Sequence, residues 1–527
     1  MFTRSPLTDN TEKDLIIIGA GINGLSAGLA YALNSDLKNK QVLIVEKNPV
    51  SGGYVTSFAR KGFHFDTCQM ISNVTDILDY FGVTIDFHEF YQDFIRVCKV
   101  DPVTGQVKTF ELYSEGEAFE EQLIKLFPAE AEKLRKFFDY SLSMFHEIYE
   151  LKYAPGFDDI LKMLLTCPKV VRNRNKTFTE YLKLFGIDNQ EIDLVFQVFS
   201  AMCGLPNDRI AALLTVGVMY SLREKAYRPK GQFIELPQKM EQRYRALGGQ
   251  LGLKNGVEQI IVEKGAVRGV CMEDGTIIRS RNVISTVDVK LTMENLVGMD
   301  TLRSISQKYA RKIESVKMTP STFTVNLGID DAQILTECGL PCGYGLLTMG
   351  NDAYASLFPA FENNEFRLSS DCFYIGYSCP PPSDRDKPVL SIQAAPLPVN
   401  NWVRLRNADK ERYQREKENA AGQLIDIVEK YLIPDLKKHI VVKDISTPAT
   451  YVRYSGSPSG SIYDMAAVPD NFGANRLPVI TPIKGLLVPK FAHGVFGAMN
   501  SGLQAIDVLL DGKVMHGNSR FKEQAAK

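Results

Sequence analysis

The stretch from Asp14 to Gly53 constrains this chain more than any other. Leu15-Ile16-Ile17-Ile18 is a short, wholly apolar run with the character of a parallel strand buried on both faces. It leads into Gly19-Ala20-Gly21-Ile22-Asn23-Gly24, which fits G-x-G-x-x-G, and then into a helix of small residues through Leu33. Each glycine has a physical task. Gly19 permits the tight turn out of the strand, Gly21 lets backbone approach a diphosphate, and Gly24 and Gly28 let the helix press on the sheet. The helix N-terminus offers unpaired N–H groups and the positive end of its dipole. A second apolar run, Gln41 to Val45, ends in Glu46, 22 residues after Gly24, where a carboxylate can hold ribose hydroxyls. A chance glycine-rich turn would lack this setting. The spacing predicts a dinucleotide-binding βαβ unit.

The residues after Glu46 narrow the reading. Lys47, then Gly52-Gly53-Tyr54, then Thr56-Ser57-Phe58 and Gly62-Phe63-His64-Phe65-Asp66-Thr67 follow in order. Glu46-Lys47 with the paired glycines resembles the flavoproteins of the glutathione-reductase-like superfamily. More narrowly, GGYVTSFARKGFHFDT resembles the phytoene desaturase, carotenoid isomerase and retinol saturase family. The resemblance implies FAD, with Gly52 and Gly53 beside its diphosphate. Family members often carry Arg directly after the glycines, whereas this chain has Tyr54, so charge compensation must come from elsewhere or rest on the helix dipole.

Further along, Gly252 to Thr286 reads as three short strands and a fourth returning to the first sheet. By resemblance, the backbone at Val257 pairs with the adenine ring. Thr447-Pro448-Ala449-Thr450-Tyr451 and Gly456-x₃-Gly460-Ser461-Ile462-Tyr463 also resemble the family, with Asp464 where glycine is usual. Leu486 to Leu510 resembles its C-terminal cofactor motif, a strand and then a helix that starts against the flavin ring, with Gly497 and Ala498 in contact. There Val488-Pro489-Lys490 replaces the usual glycine followed by a small or acidic residue. His493, in the turn facing the flavin, is the one proton-donor candidate, although a turn histidine bonded to backbone is the commoner case. Tyr54 and Phe491 are candidates for lining the ring, with core packing the commoner role for such residues.

The expected fold is therefore α/β: a glutathione-reductase-like FAD-binding Rossmann domain, a strand-rich substrate domain and a helical insertion. Residues 1–13 are read as a disordered lead and 14–112 as the first part of the FAD domain, ending in a hairpin of Phe94–Cys98 and Val107–Leu112. Residues 113–228 form the insertion, with apolar faces at Phe119, Leu123, Leu126 and Phe127 and at Phe137, Tyr140, Met144 and Tyr149. Residues 229–316 return to the FAD domain, 317–465 wall the substrate tunnel, 466–512 complete the FAD domain, and 513–527 form a flexible tail.

Composition removes several alternatives. With 61 basic against 62 acidic side chains, nothing supports nucleic-acid binding. No apolar run approaches the ~18 residues of a membrane span. MFTRSPLTDNTEKD lacks the apolar core of a signal peptide, so a cytoplasmic location is expected, with membrane contact only at the surface. For that contact, Ile160 to Leu165 beside Lys169, Arg172, Arg174 and Lys176 suit an interfacial helix, and an ordinary helix with a solvated basic end suits them too. Nine cysteines without repeating spacing argue against a disulfide reductase. The scattered histidines give no metal site, and Gly343-Tyr344-Gly345 opens no second dinucleotide unit.

The expected activity is FAD-dependent redox chemistry on carbon–carbon bonds of a long apolar isoprenoid or polyene. Nicotinamide, a quinone or oxygen would be a loosely bound electron partner. A redox-neutral polyene isomerase using reduced FAD is the nearest rival. A non-enzymatic binder of a prenylated or lipid partner, as in Rab escort-type proteins, is the rival of another class, and the intact Gly19, Gly21, Gly24 and Glu46 weigh against it.

Overall fold

The computed structural model describes residues 12–35, 40–90, 95–113, 116–149, 164–224, 226–340, 342–363, 365, 372–380, 387–397, 399–490, 494–512 and 514. The strand Leu15–Ile18 is buried at all four positions, because it lies inside a sheet covered on both faces. It pairs in parallel with Val42–Val45 on one side, Ile17 opposite Ile44, and with Val283–Ser285 on the other. Gln250–Gly252 and Leu486–Leu487 extend the two edges. The five-stranded parallel sheet is thus assembled from three distant parts of the chain.

Helix Ile22–Asn34 is buried along most of its length because helices pack on it from both sides. Small residues make this approach feasible. A Cβ on Gly502, in helix Gly494–Leu509, would lie 2.4 Å from the Asn23 carbonyl oxygen. One on Gly28 would lie 2.8 Å from Ile44 Cδ1 and 3.0 Å from the Tyr244 ring, which helix Glu235–Ala246 supplies. On the opposite face the antiparallel strands Val257–Glu263, Ala266–Met272 and Ile277–Arg279 seal the core with Ile260, Val270 and Ile278.

A second sheet of seven strands runs Ile440–Ser446, Ser321–Ile329, Val389–Leu397, Tyr374–Cys379, Cys342–Met349, Ile95–Val100, Val107–Leu112. This corrects one expectation. The hairpin expected in the first part of the FAD domain pairs instead within this seven-stranded sheet, Tyr344 beside Ile95 and Met349 beside Val100 in parallel register. Both faces of its first strand are buried: Ile95 and Val97 face the helical unit, while Cys98 and Val100 join the core under helix Lys410–Tyr431. A strand buried on both faces belongs in a sheet interior.

The helical unit packs around aromatic rings, with Phe137 and Phe196 centroids 5.1 Å apart and Phe119 edge-on to Phe199. Phe119, Leu123 and Phe127 are buried as expected, but Leu126 is exposed, because helix Gly116–Leu126 ends there and turns it to solvent. A small sheet, with Ala226–Pro229 between Ile71–Ser72 and Phe87–Phe90, fastens this unit to the first domain.

Candidate active site

The sequence places both glycine loops at the carboxyl edge of the parallel sheet, where open α/β sheets bind ligands. Gly19 turns at φ +98°, a conformation side chains resist. Gly21 and Gly52 face each other as a parallel bridge, and Gly52 N–H donates to the Ala20 carbonyl at 2.8 Å. A Cβ on Gly53 would lie only 3.2 Å from Gly21 Cα. Backbone meets backbone here, and helix Ile22–Asn34 begins at that point with no side-chain cap and no acidic residue in its first turn. Its free amides are available to an anion.

Glu46 closes one end. Its Oε2 accepts Ala20 N–H at 2.9 Å and its Oε1 accepts Asn48 N–H at 2.8 Å. Each oxygen retains a lone pair, so the carboxylate can hold a ribose diol while fixing the loop. Val257 and Gly256 line the same end of the cavity. Lys47 donates from Nζ to the Arg453 carbonyl at 3.2 Å, and burial lowers its pKa.

The cavity measures about 1930 Å³. It takes in Glu46, Gly21 and Gly53, then Tyr54, Lys490, Gly497 and Ala498, and continues among Met202, Leu213, Leu214 and Tyr344 at the helical unit. The donor set suits a dinucleotide at the glycine loops: bare backbone for a diphosphate, a carboxylate for a diol and apolar surface beyond. Tyr54 is a wall residue. Its hydroxyl donates to the Ser461 carbonyl at 3.0 Å, its ring sits 6.2 Å from that of Tyr451, and burial raises its phenol pKa.

Sequence reasoning missed a group of charges beside this wall. Lys490 Nζ lies 2.5 Å from Asp464 Oδ2 and donates to the Thr286 carbonyl at 3.1 Å. Asp464 has φ +62°, a left-handed geometry in which glycine is unstrained, which explains the glycine usual at that place. The available signal was that two departures from the expected pattern carry opposite charges. Asp288 lies next to them, accepting from Ser457 Oγ at 2.6 Å and from the Lys290 and Leu291 amides at 2.8 and 2.9 Å.

Burial first, then the Asp464 carboxylate, push Asp288 up to about 6. A carboxyl raised on folding leaves stability intact below its unfolded value near 3.8 and lowers it as pH climbs through the folded value. Asp288→Asn is therefore expected to gain stability relative to wild type between about pH 4 and about pH 8. Urea unfolding at the two pH values checks this; an equal difference at both would show that Asp288 is not the titrating group.

His493 and Phe491 lie outside the described residues. Cys68 and Cys203 line the cavity as thiols, and burial pushes both up to about 12, which suits packing rather than thiolate chemistry. Among the described residues no cluster could hold a metal ion, and no helix is long and apolar enough to cross a membrane. Of the interfacial stretch, residues 160–163, Leu161 among them, are outside the described residues. Leu164 and Leu165 are exposed, Lys169 reaches Ser143 Oγ at 2.7 Å and Glu147 Oε1 at 3.4 Å, and Arg174 Nη1 donates to the Val171 carbonyl.

Comparison with known proteins agrees with this geometry. Residues 17–80 match the NAD(P)-binding Rossmann-like domain family. The chain is 24% identical over 453 residues to a 4,4'-diapophytoene desaturase (4,4'-diapolycopene-forming) of Methylomonas sp., covering 83% of each chain. It is 23% identical over 475 residues to a chloroplastic prolycopene isomerase of Daucus carota, covering 85% of this chain and 71% of that one. A putrescine oxidase solved with putrescine bound superposes with a TM-score of 0.61 at 16% identity, over 95% of this chain and 99% of that one, and shares the fold.

Proposed function

We propose that this chain, a relative of carotenoid desaturases and isomerases, is an FAD-dependent oxidoreductase acting on carbon–carbon bonds of a long apolar polyene. One observation carries the reading: a dinucleotide cradle opens without interruption into an apolar chamber. FAD, when bound, supplies hydride transfer. The loop from Gly19 through Ala20, Gly21, Ile22 and Asn23 to Gly24, with Gly52 and Gly53, receives its diphosphate. Glu46 orients the ribose and Lys47 borders it. Val257 borders the adenine, and Gly497 and Ala498 border the ring, with Tyr54 as a wall.

The rest of the protein binds, orients and excludes water. Met202, Leu213, Leu214 and Val218 supply the apolar lining, and Tyr354, buried, and Tyr344, half-buried, keep their phenols neutral. These groups suit a hydrocarbon body and offer it no nucleophile. Residues 14–90, 229–316 and 466–512 are read as the FAD domain, and the seven-stranded sheet with the helical unit as the substrate side.

The test is anaerobic. Photoreduced holoprotein mixed with a conjugated polyene, or oxidised holoprotein with a less conjugated one, should change flavin and polyene absorbance together. No flavin change with either, but a changed isomer composition, would favour the redox-neutral isomerase. No change in either partner would contradict both. Nicotinamide, quinone or oxygen as electron partner can be ranked by the same flavin signal.

Surface contact with a bilayer would deliver such a substrate, and exposed Leu164 and Leu165 beside Lys169, Arg172 and Arg174 support it. Each basic residue near an anionic leaflet adds about 1 kcal/mol, screened by salt. Flotation with anionic liposomes should fall with salt and fall further when Arg172 and Arg174 become Glu. Equal recovery with neutral vesicles would leave an ordinary solvated helix.

A further inference from the structure

Three observations converge on Lys490. The first is its place. It follows the strand Leu486–Leu487, and the carbonyl it touches, Thr286, follows the neighbouring strand Val283–Ser285, so its ammonium sits where two parallel strands end. That edge is where this sheet architecture receives a ligand. The second is the tie to the glycine loop. The Pro489 carbonyl accepts from Asn23 Nδ2 at 3.0 Å, which fastens the Lys490 backbone to the first turn of helix Ile22–Asn34. The free amides at the head of that helix and the lysine therefore belong to one rigid corner.

The third is its charge. Lys490 is mostly buried and lines the cavity, and an ammonium in such a position needs partners. One donor goes to the Thr286 carbonyl and one side faces Asp464, with Asp288 beside that pair, held by Ser457 and the Lys290 and Leu291 amides, which leaves a third N–H of the lysine. The residue after the glycine pair, Tyr54, is neutral, and Lys47 is directed to the Arg453 carbonyl at the Glu46 end. A diphosphate at the glycine loops carries two negative charges, and dipoles alone would compensate them only in part.

We propose that Lys490 is the cation that meets the diphosphate of bound FAD, with Asp464 as the positioning residue that holds it before the cofactor arrives. This rests on the flavin reading above. Asp464 reaches Lys490 from a turn with a left-handed backbone, φ +62°, and the lysine takes the part of the basic residue absent at position 54.

The test uses full-length apoprotein, titrated with FAD and with riboflavin, which has no phosphate, at low and high salt. FAD affinity of the wild type should fall with salt. Lys490→Met should bind FAD at least about tenfold more weakly, with a shallower salt dependence and unchanged affinity for riboflavin. Lys490→Arg should keep most of the FAD affinity, and Asp464→Asn should lose less than Lys490→Met. Unchanged FAD affinity in Lys490→Met, or equal loss of FAD and riboflavin, would overturn the assignment; the second result would make the lysine purely structural. A wild-type chain that binds neither would overturn the flavin reading itself, and this inference with it.

Discussion

Gly24→Ala is expected to lose FAD binding and at least about 3 kcal/mol of stability, at the upper end of what overpacking costs. A Cβ at Gly24 would lie 1.9 Å from the Gly19 carbonyl oxygen and 3.0 Å from Thr286 Oγ1. The first of these is backbone and cannot rotate away. Helix Ile22–Asn34 would have to lift from the strand that feeds it, opening the contact with Gly502 as well. Gly21→Ala is the matched control. Its Cβ would meet nothing closer than Gly53 Cα at 3.8 Å, an ordinary contact, so the protein should fold normally. The same methyl would occupy space a diphosphate needs. Loss of FAD with stability unchanged in Gly21→Ala, and loss of both in Gly24→Ala, is the pattern to look for in urea unfolding and flavin content. Equal stability of the two variants would mean the glycine loop is built differently.

Glu46→Ala should lower FAD affinity by about one to two decades, from charge-assisted hydrogen bonds worth roughly 1.5–3 kcal/mol. The structure adds a second consequence. The carboxylate also accepts the buried Ala20 amide and the part-buried Asn48 amide, so its removal leaves both without this acceptor and loosens both loops. Thermal stability of the apoprotein should fall alongside affinity. Flavin retention equal to wild type would show that no ribose lies against this residue.

The parts of this protein that were legible in its sequence are those governed by short-range rules. The first strand, its glycine loop and Glu46 lie within one βαβ unit, and spacing alone fixes their geometry. The strands Val257–Glu263, Ala266–Met272 and Ile277–Arg279 were legible for the same reason, since neighbours in sequence pair with each other. The hairpin at Ile95–Leu112 was legible as a hairpin but not in its sheet. Its other partner, Cys342–Met349, lies far along the chain, and nothing local encodes that pairing. Leu126 kept the helical period but fell at a helix end, where period no longer determines burial.

At the site, the cradle could be read and the charges could not. Lys490, Asp464 and Asp288 come from three separate segments and acquire meaning only when the sheet brings them together. Asp464 and Lys490 stand in the sequence only as departures from the expected pattern, and Asp288 carries no local signal at all. Burial is what makes them a unit, and burial of an isolated polar residue is poorly encoded in sequence.

The central claim is that the glycine cradle holds FAD non-covalently, and the most direct measurement is the flavin content of the purified chain. The protein should be yellow, and heat denaturation should release FAD into the supernatant in equimolar amount. A colourless protein that cannot be reconstituted with added FAD would contradict the account.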